Sequence, residues 1–332
     1  MDSIYYFPPE DKNGGYKNPY SQNVIESLSP YFKFINKQSS FFRKLPKGLN
    51  FLMAAFSADI YIISWLESIC FGKFAFLQYI FAKLALNILK IRNVKILWIF
   101  HNIHPHQGSN FMSKSIQTFL FQKSDLIITH SNEAVNFAKS YAKCPVIYKC
   151  HPFNQIIINR FNKRIEKHDV FIWGAILPYK GVLEFLLEHK TRQSKLSVYI
   201  LGKCNDPVLS KAIRNMCNTY ISYDNRVAGF DEIAANIKKS RFVLFPYIGS
   251  CVSSSGALID TIVMHGVPIG PNKGAFIDLA YENLCITYNN YDELFNLLSS
   301  HDIILDNNAF IKNNSWTHFG CFLKDIINKI QQ

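Results

Sequence analysis

Cysteine motifs, long hydrophobic runs and a secretion signal are absent from this sequence. The eight cysteines form no CxxC pair, which predicts free thiols in a reducing compartment and argues against a disulfide-stapled fold. No stretch reaches 18 clean apolar residues. The longest, residues 74–89, is interrupted by Gln78, Lys83 and Asn87, so it predicts a buried or interfacial helix rather than a membrane span. The N-terminus lacks the basic start and apolar core of a signal peptide. We therefore expect a cytoplasmic protein.

Charge is scarce but strongly one-sided. Charged residues make up 18% of the chain and hydrophobic residues 48%, which is typical of a globular protein. The net charge of +12 suits a phosphate-rich partner, such as nucleic acid, an anionic bilayer or a nucleotide-linked substrate. A length of 332 residues predicts two domains.

Short apolar runs alternate with helix-length segments in both halves of the chain, on either side of a polar stretch at 159–169. This βαβ alternation predicts an α/β protein with two doubly wound Rossmann-like domains that face a central cleft. The predicted organisation is an N-terminal Rossmann-like domain (1–158), a linker (159–169), a C-terminal Rossmann-like domain (170–314) and a C-terminal helix (315–332) that could pack back on the N-terminal domain.

Two helix starts in the C-terminal half are suited to an anion. Ser253, Ser254, Ser255 and Gly256 open a helix with small side chains, so backbone N–H groups and hydroxyls face outward where the helix dipole favours negative charge. One turn later, Asp260 could reach a pair of ribose hydroxyls. The alternative is a serine N-cap before an ordinary helix.

The second helix start is Lys180–Gly181, which follows the strand at 170–173. Here a lysine could reach phosphate, and the glycine would permit close approach. The alternative is a surface lysine in a turn.

The order GxxxxYKG (174–181), LGK (201–203), then SSGAL (254–258) and GVPI (266–269) resembles the donor-binding domain of GT-B glycosyltransferases. The closest likeness is to the retaining capsule and exopolysaccharide enzymes. The resemblance implies that Lys180, Gly181 and the serine-rich helix start hold the nucleotide diphosphate, and that Asp260 binds ribose. The family arginine before the KG lysine is missing, since Ala175 and Leu177 stand there, so Lys203 and Arg226 become further candidates for the diphosphate.

The N-terminal half resembles the same enzymes through NPY (18–20), DIYIISWLE (59–67) and WIFHNIHPHQ (98–107). The resemblance makes His101, Asn102 and His106 the candidate catalytic residues, whereas His104 falls where the family varies. Gln107 replaces a glutamate and Ser64 a histidine of the family pattern. A zinc site of the form H-x2-H-x-H and a polar turn are the alternatives for the histidines.

The loop after the first strand is where enzymes of this kind bind the acceptor. Its glycines permit close backbone approach and its tyrosines could stack on a sugar ring. Trp65 of the DIYIISWLE motif is added to these residues. The predicted acceptor-binding residues are Gly14, Gly15, Tyr16, Asn18, Tyr20 and Trp65. Asp11 or Glu10 could serve as a base if the reaction inverts.

Residues 31–51 interleave Phe32, Phe34, Phe41 and Phe42 with five cations. This pattern suits an anionic bilayer surface, single-stranded nucleic acid, or a helix with one solvated basic side.

The resemblance implies a glycosyltransferase that moves a sugar from a nucleotide-sugar donor to a saccharide, lipid-linked during surface-polysaccharide assembly. It would act in the cytoplasm or at the inner face of the cell membrane, with no metal or other cofactor. We find no DxD metal motif in the sequence. Two alternatives stay open: a nucleotide-sugar epimerase of the same fold, and a basic nucleic-acid-binding protein, for which no recognised motif is present.

Overall fold

The computed structural model describes residues 2–9, 19–38, 46–103, 108–153, 167–249, 252, 254–300, 303 and 305–331. The chain divides into two compact units. Unit 1 comprises residues 1–152 and 314–332, and unit 2 comprises residues 153–313. The predicted acceptor-binding residues Gly14, Gly15, Tyr16 and Asn18, together with His106 and Ser253, lie outside the described residues.

Unit 1 contains a six-stranded parallel sheet in the order β2-β1-β3-β4-β5-β6. Its strands are β1 (Ser3–Phe7), β2 (Lys33–Phe34), β3 (Ile60–Ser64), β4 (Lys95–Phe100), β5 (Leu126–Thr129) and β6 (Val146–Tyr148). Its helices are α1 (Pro19–Leu28), α2 (Ile35–Gln38), α3 (Lys47–Ala54), α4 (Ala75–Ile91), α5 (Phe111–Lys123), α6 (Asn132–Lys139) and, from the end of the chain, α14 (Trp316–Gln331).

The core of unit 1 follows from strands that are apolar on both faces. All five residues of β3 are buried, as a parallel sheet covered on both sides requires. On one face, α1 packs beside α14, which contributes Phe319, Leu323 and Ile327 to the same apolar cluster. The two helices approach closely because Gly320 has no side chain: a β-carbon there would lie 2.5 Å from the Ser27 carbonyl oxygen.

Unit 2 contains a second six-stranded parallel sheet, in the order β12-β11-β10-β7-β8-β9. Its strands are β7 (His168–Trp173), β8 (Val198–Leu201), β9 (Ile221–Asp224), β10 (Ser240–Leu244), β11 (Pro268–Pro271) and β12 (Ile286–Tyr288). Its helices are α7 (Val182–Thr191), α8 (Pro207–Arg214), α9 (Phe230–Lys238), α10 (Gly256–Val263), α11 (Ala275–Tyr281), α12 (Tyr291–Ser299) and α13 (Asn308–Asn313).

The predicted fold class is confirmed, because both halves form a parallel sheet flanked by helices. Two details differ from the sequence analysis. Strand β7 begins at His168, inside the segment predicted as linker, since Asp169 is fixed by Ser197 and by Arg241 (3.0 Å). Strand β9 does not appear in the sequence as a short apolar run, because as an edge strand it is buried on one side only and has few apolar residues.

The predicted membrane-binding stretch at 31–51 is only partly described. Phe32 and Phe34 are buried in the core of unit 1, so these two residues do not face a bilayer, contrary to the prediction. Their burial follows from β2, which pairs with β1 and turns Phe34 into the core. Phe41, Phe42, Arg43 and Lys44 lie outside the described residues.

Candidate functional site

The topology of unit 2 places a ligand crevice between β7 and β10. These two strands are neighbours, while the chain continues from β7 to β8 and β9 on one side and from β10 to β11 and β12 on the other. In open α/β sheets, ligands bind at such a reversal, outside the carboxyl ends of the strands. The loops that follow β7 and β10 carry both helix starts singled out in the sequence.

Three polar side chains gather at this point: Lys180, Tyr247 and Ser255. The Lys180 Nζ lies 5.5 Å from the centroid of the Tyr247 ring. A β-carbon on Gly174 would lie 3.7 Å from the same Nζ atom. The Tyr247 hydroxyl is 3.4 Å from the Ser255 Oγ. The sequence predicted Lys180 and Ser255 from separate motifs. The structure brings them together through Tyr247, which was not predicted.

Ser255 is the N-cap of α10. Its backbone is extended, and its hydroxyl accepts a hydrogen bond from the Leu258 N–H at 3.3 Å. The cap and the anion site are compatible, because the first-turn N–H groups of a helix have no partner within the helix and the cap takes only one of them. Ser254 and Gly256 are half-buried beside it.

Gly181 has a structural role that the sequence did not reveal. Its φ is +65°, and a β-carbon would lie 2.0 Å from the Pro246 carbonyl oxygen. The missing side chain therefore lets the loop after β10 rest on the turn before α7, where the Ile248 N–H donates to the Tyr179 carbonyl at 3.0 Å. This contact sets the position of Tyr247 beside Lys180.

Asp260 lies one turn along α10 from Gly256, on the same side of the helix. It is half-buried, and burial raises the pKa of its carboxyl to about 7. A carboxyl poised near neutrality at a ligand crevice is a common feature of functional sites.

The two extra candidates for the diphosphate differ in their surroundings. Arg226 forms a bidentate ion pair with Glu232 and lies 3.7 Å from Asp224, so its charge is already matched by two carboxylates. Lys203 is exposed at the end of β8, where it lines a cavity with Lys211 and Arg214.

A cavity of about 340 Å³ adjoins the crevice at the carboxyl ends of β10, β11 and β12. It is lined by aromatic and amide side chains, which suit a polar ring with hydroxyl groups. The lining includes Tyr247, Tyr288, Tyr291, Asn272, Asn289 and Asn290.

In unit 1, aromatic and imidazole rings converge at the carboxyl ends of the strands. Trp65, His101, His130 and His151 follow β3, β4, β5 and β6, and Tyr20 at the start of α1 stands among them. The Tyr20 ring centroid is 4.5 Å from that of His101, 5.5 Å from His130, 5.2 Å from His151 and 5.8 Å from Trp65. Trp316 of α14 closes the group at 5.0 Å from Tyr20.

His101 is buried in this cluster. It is stacked on Trp65 with ring centroids 3.9 Å apart, and its buried Nε2 has no hydrogen-bond partner among the described residues. Burial, reinforced by His130 and His151, holds the pKa of His101 well below its usual value, so the ring is neutral. A neutral imidazole can bind a sugar hydroxyl without adding charge.

The other two histidines have structural partners. His130 uses Nε2 for the Tyr20 hydroxyl (2.8 Å) and Nδ1 for the Lys149 carbonyl (2.6 Å). His151 uses Nδ1 for the Pro152 carbonyl (2.7 Å). Burial lowers the pKa of His130 to about 3 and that of His151 to about 4. In the part of the chain that the structure describes, no group of three His, Cys, Asp or Glu side chains could hold a metal ion. His104 and His106 are not among those residues.

Glu67 is a buried acid that sequence reasoning missed. It lies in the 3-10 turn Leu66–Cys70, directly after Trp65. Its Oε2 contacts no hydrogen-bond partner within the described ranges, and burial raises its pKa to about 7. Its position in the WLE motif was the available signal. For His130 and His151, the signal was a polar residue at the end of a buried parallel strand, the same signal that identified His101. Asn102 is half-buried next to His101.

No family model and no curated protein matches the chain. Solved structures do resemble it over almost its full length. HepE from Anabaena, in complex with UDP and glucose, is 12% identical, with 98% of this chain and 95% of that chain covered and a TM-score of 0.63. The lipopolysaccharide outer core galactosyltransferase WaaB is 12% identical, with 99% and 100% covered and a TM-score of 0.64. Sucrose-phosphate synthase from Thermosynechococcus elongatus is 9% identical, with 99% and 95% covered and a TM-score of 0.59.

At identities this low, the similarity shows a shared fold but does not identify the substrate of this chain. With two parallel six-stranded sheets and these structural neighbours, the chain has the two-domain GT-B fold of the glycosyltransferases.

Proposed function

We propose that this protein is a glycosyltransferase that moves a hexosyl group from a nucleotide-diphosphate sugar to a saccharide acceptor. The observation that carries the proposal is the cluster of Lys180, Tyr247 and Ser255 at the start of α10. A cation, a hydroxyl pair and a helix N-terminus at a topological switch point suit a diphosphate.

The chemistry needs negative charge to be stabilised on the leaving group. As the bond between the sugar and the diphosphate breaks, charge develops on the nucleoside diphosphate. Lys180 and the α10 dipole would stabilise that charge where it forms. In this proposal the protein supplies what a metal ion supplies elsewhere, so the reaction requires no metal cofactor. Asp260 would accept hydrogen bonds from the ribose hydroxyls.

Unit 1 would receive the acceptor. Trp65 offers an aromatic ring, and the unmatched Nε2 of His101 offers a site for a hydroxyl. Tyr20, which the sequence analysis assigned to the acceptor, is instead buried in the core and held by His130, so it supports these two residues from within. The sequence resemblance to retaining capsule and exopolysaccharide enzymes supports an acceptor saccharide carried on a lipid, at the inner face of the cell membrane during surface-polysaccharide assembly. None of the described helices is long and apolar enough to cross a membrane.

Nucleotide binding tests the donor site directly. A thermal-shift screen against UDP, GDP, CMP and dTDP should identify one stabilising nucleotide, because a ligand at 100 times its dissociation constant adds about 2.7 kcal/mol. Lys180→Ala should then weaken diphosphate binding by about 1.5–3 kcal/mol, since a charge-assisted hydrogen bond is lost. Lys190→Ala, an exposed lysine at the end of α7, is the matched control and should bind as the parent does. Equal affinities in all three proteins would place the donor elsewhere.

Product analysis tests the reaction class. Activity should persist in excess EDTA and should require both donor and acceptor. Loss of activity in EDTA with recovery on adding manganese or zinc would contradict metal independence. A change in the donor sugar without an acceptor would indicate an epimerase instead.

A further inference from the structure

Helix α4 leaves an apolar stripe uncovered by the described residues. Its inner side is buried through Ala82, Ala85, Leu86 and Leu89. The outer side carries large apolar side chains whose exposure ranges from 42% for Ile80 to 82% for Ile91. We call these residues the α4 stripe: Phe74, Phe76, Leu77, Ile80, Leu84 and Ile91.

The spacing of the stripe shows that it is one surface. Leu77, Ile80, Leu84 and Ile91 are separated by 3, 4 and 7 residues, which places them on one side of a helix. Phe111 extends this surface at the N-terminal end and is 80% exposed. It begins α5, which is held against the segment before α4 because the Asn110 amide donates to the Cys70 carbonyl at 2.9 Å. Contiguous apolar surface of this kind marks an interaction site.

The charged residues of α4 and of its immediate flanks are all positive. From residue 73 to residue 95 the sequence contains five cations and no acidic residue: Lys73, Lys83, Lys90, Arg92 and Lys95. Lys83 and Lys90 are seven residues apart, so they lie along one flank of the stripe. Lys90 forms an ion pair with Asp125 at 3.1 Å, so its charge is already matched. A helix with an apolar side, net positive flanks and no acidic residue of its own matches an anionic lipid bilayer, with its apolar side in the acyl boundary and its cations at the headgroups.

From these observations we infer that the α4 stripe docks on an anionic lipid surface. A second copy of this chain fits the stripe less well, because two copies would oppose cations to cations in a protein whose net charge is +12. Single-stranded nucleic acid also fits less well. The exposed rings of Phe74, Phe76 and Phe111 are confined to one end, and the rest of the stripe is aliphatic, with no ring on which successive bases could stack.

The location of the stripe ties it to the acceptor. The 3-10 turn that begins after Trp65 leads into Phe74, so the stripe starts at the sheet edge that carries the cluster of Tyr20, Trp65 and His101. A saccharide on a membrane lipid would meet that cluster from the bilayer. This inference rests on the proposed function only for the identity of the acceptor.

Vesicle flotation without donor or acceptor tests the docking surface by itself. The parent protein should bind phosphatidylglycerol–phosphatidylcholine vesicles at low salt and bind phosphatidylcholine vesicles much less. Ile80→Gln with Leu84→Gln should weaken binding at least about tenfold at every salt concentration, because the lost contribution is apolar. Lys73→Gln with Lys83→Gln should weaken it about fivefold for each cation at low salt and leave binding at high salt unchanged.

The matched control is Val208→Gln with Val227→Gln, two isolated valines of unit 2 that are 77% and 75% exposed. This control should bind vesicles as the parent does. Because the stripe variant could fold poorly, Leu84→Trp provides an independent measurement: its added fluorescence should be quenched by brominated lipid, whereas that of Val208→Trp should not.

Three results would overturn the inference. The first is that the parent protein does not bind anionic vesicles, and the second is that the valine control loses binding as the stripe variant does. The third is that the stripe serves another partner: the parent protein forms an oligomer, or binds RNA, and the stripe variant does not. Nucleotide binding in the thermal-shift screen should be unchanged in every one of these variants. The docking surface and the proposed transferase activity can therefore be rejected independently of each other.

Discussion

Donor affinity should depend on pH through Asp260. Burial raises the pKa of this carboxyl to about 7, from an ordinary value of 3.8. Only the ionised carboxylate can accept a hydrogen bond from both ribose hydroxyls at once, because a protonated carboxyl uses one oxygen as a donor. Donor binding therefore competes with protonation of Asp260.

The size of the effect follows from the pKa. With a value of about 7, roughly a tenth of the carboxyls are ionised at pH 6 and roughly nine tenths at pH 8. Donor affinity should rise about tenfold over this interval, which corresponds to about 1.4 kcal/mol. Asp260→Asn should bind more weakly at pH 8 and show no rise.

Calorimetry at pH 6, 7 and 8 measures this dependence. The ligand should be the nucleotide sugar rather than the free diphosphate, since the terminal phosphate of a free diphosphate itself titrates at about pH 6. Lys180→Ala is the matched comparison: it should bind weakly at every pH but keep the slope, because it leaves Asp260 in place. A flat profile for the parent protein, or an unchanged slope in Asp260→Asn, would refute the assignment of Asp260 to the ribose.

Three further predictions concern stability in denaturant unfolding. Tyr20→Phe should cost about 1–3 kcal/mol, because the buried His130 Nε2 loses its partner, and an unchanged midpoint would contradict the hydrogen bond. Burial raises the pKa of Glu67 above its unfolded value of 4.5 to about 7, so stability present below pH 4.5 is lost as pH rises towards 7. Glu67→Gln should remove up to about 3 kcal/mol of this loss of stability. Identical pH profiles of stability in the parent protein and in Glu67→Gln would contradict the raised pKa. Gly181→Ala should destabilise by about 2 kcal/mol or more, because φ is positive and the β-carbon meets the Pro246 carbonyl; a neutral effect would show that the turn can shift.

The sequence was sufficient for the fold because each strand is a short apolar run with helix-length segments on either side. Ile60–Ser64 and Lys95–Phe100 are identified in this way, since strands buried on both faces form continuous apolar runs that are too short for a helix. Ile221–Asp224 was missed for the opposite reason, as an edge strand needs only alternate apolar residues.

The candidate sites could be predicted only where a motif was local. Lys180 and Ser255 each stand in a recognisable helix start, but their meeting depends on Tyr247 and on the glycine contact at 181, which join loops about 65 residues apart. The partners of His101 are similarly scattered. The order of the strands in the sheet decides which residues at the strand ends lie next to one another. No single sequence motif contains that information.

Two of the phenylalanines in the stretch 31–51 were misjudged from the sequence for a physical reason. Phe32 and Phe34 alternate with cations as interfacial residues do, yet they are core residues. In residues 74–89, which were expected to form a buried or interfacial helix, the inner side is covered and the outer side is bare. A sequence gives the composition of a helix, but only packing shows which side remains uncovered.

The division of unit 1 into two stretches of chain sets an order of events during synthesis. Strands β1 to β6 emerge from the ribosome well before α14, because the whole of unit 2 lies between them. At about 5–20 residues per second, the apolar side of α1 waits roughly 15 to 60 s for Phe319, Leu323 and Ile327 to arrive. Unit 2 can fold in that interval, since its chain is continuous. Trp316, which packs against Tyr20, is thus among the last residues to reach its place. The ring cluster of unit 1 is therefore completed only after unit 2 has been synthesised.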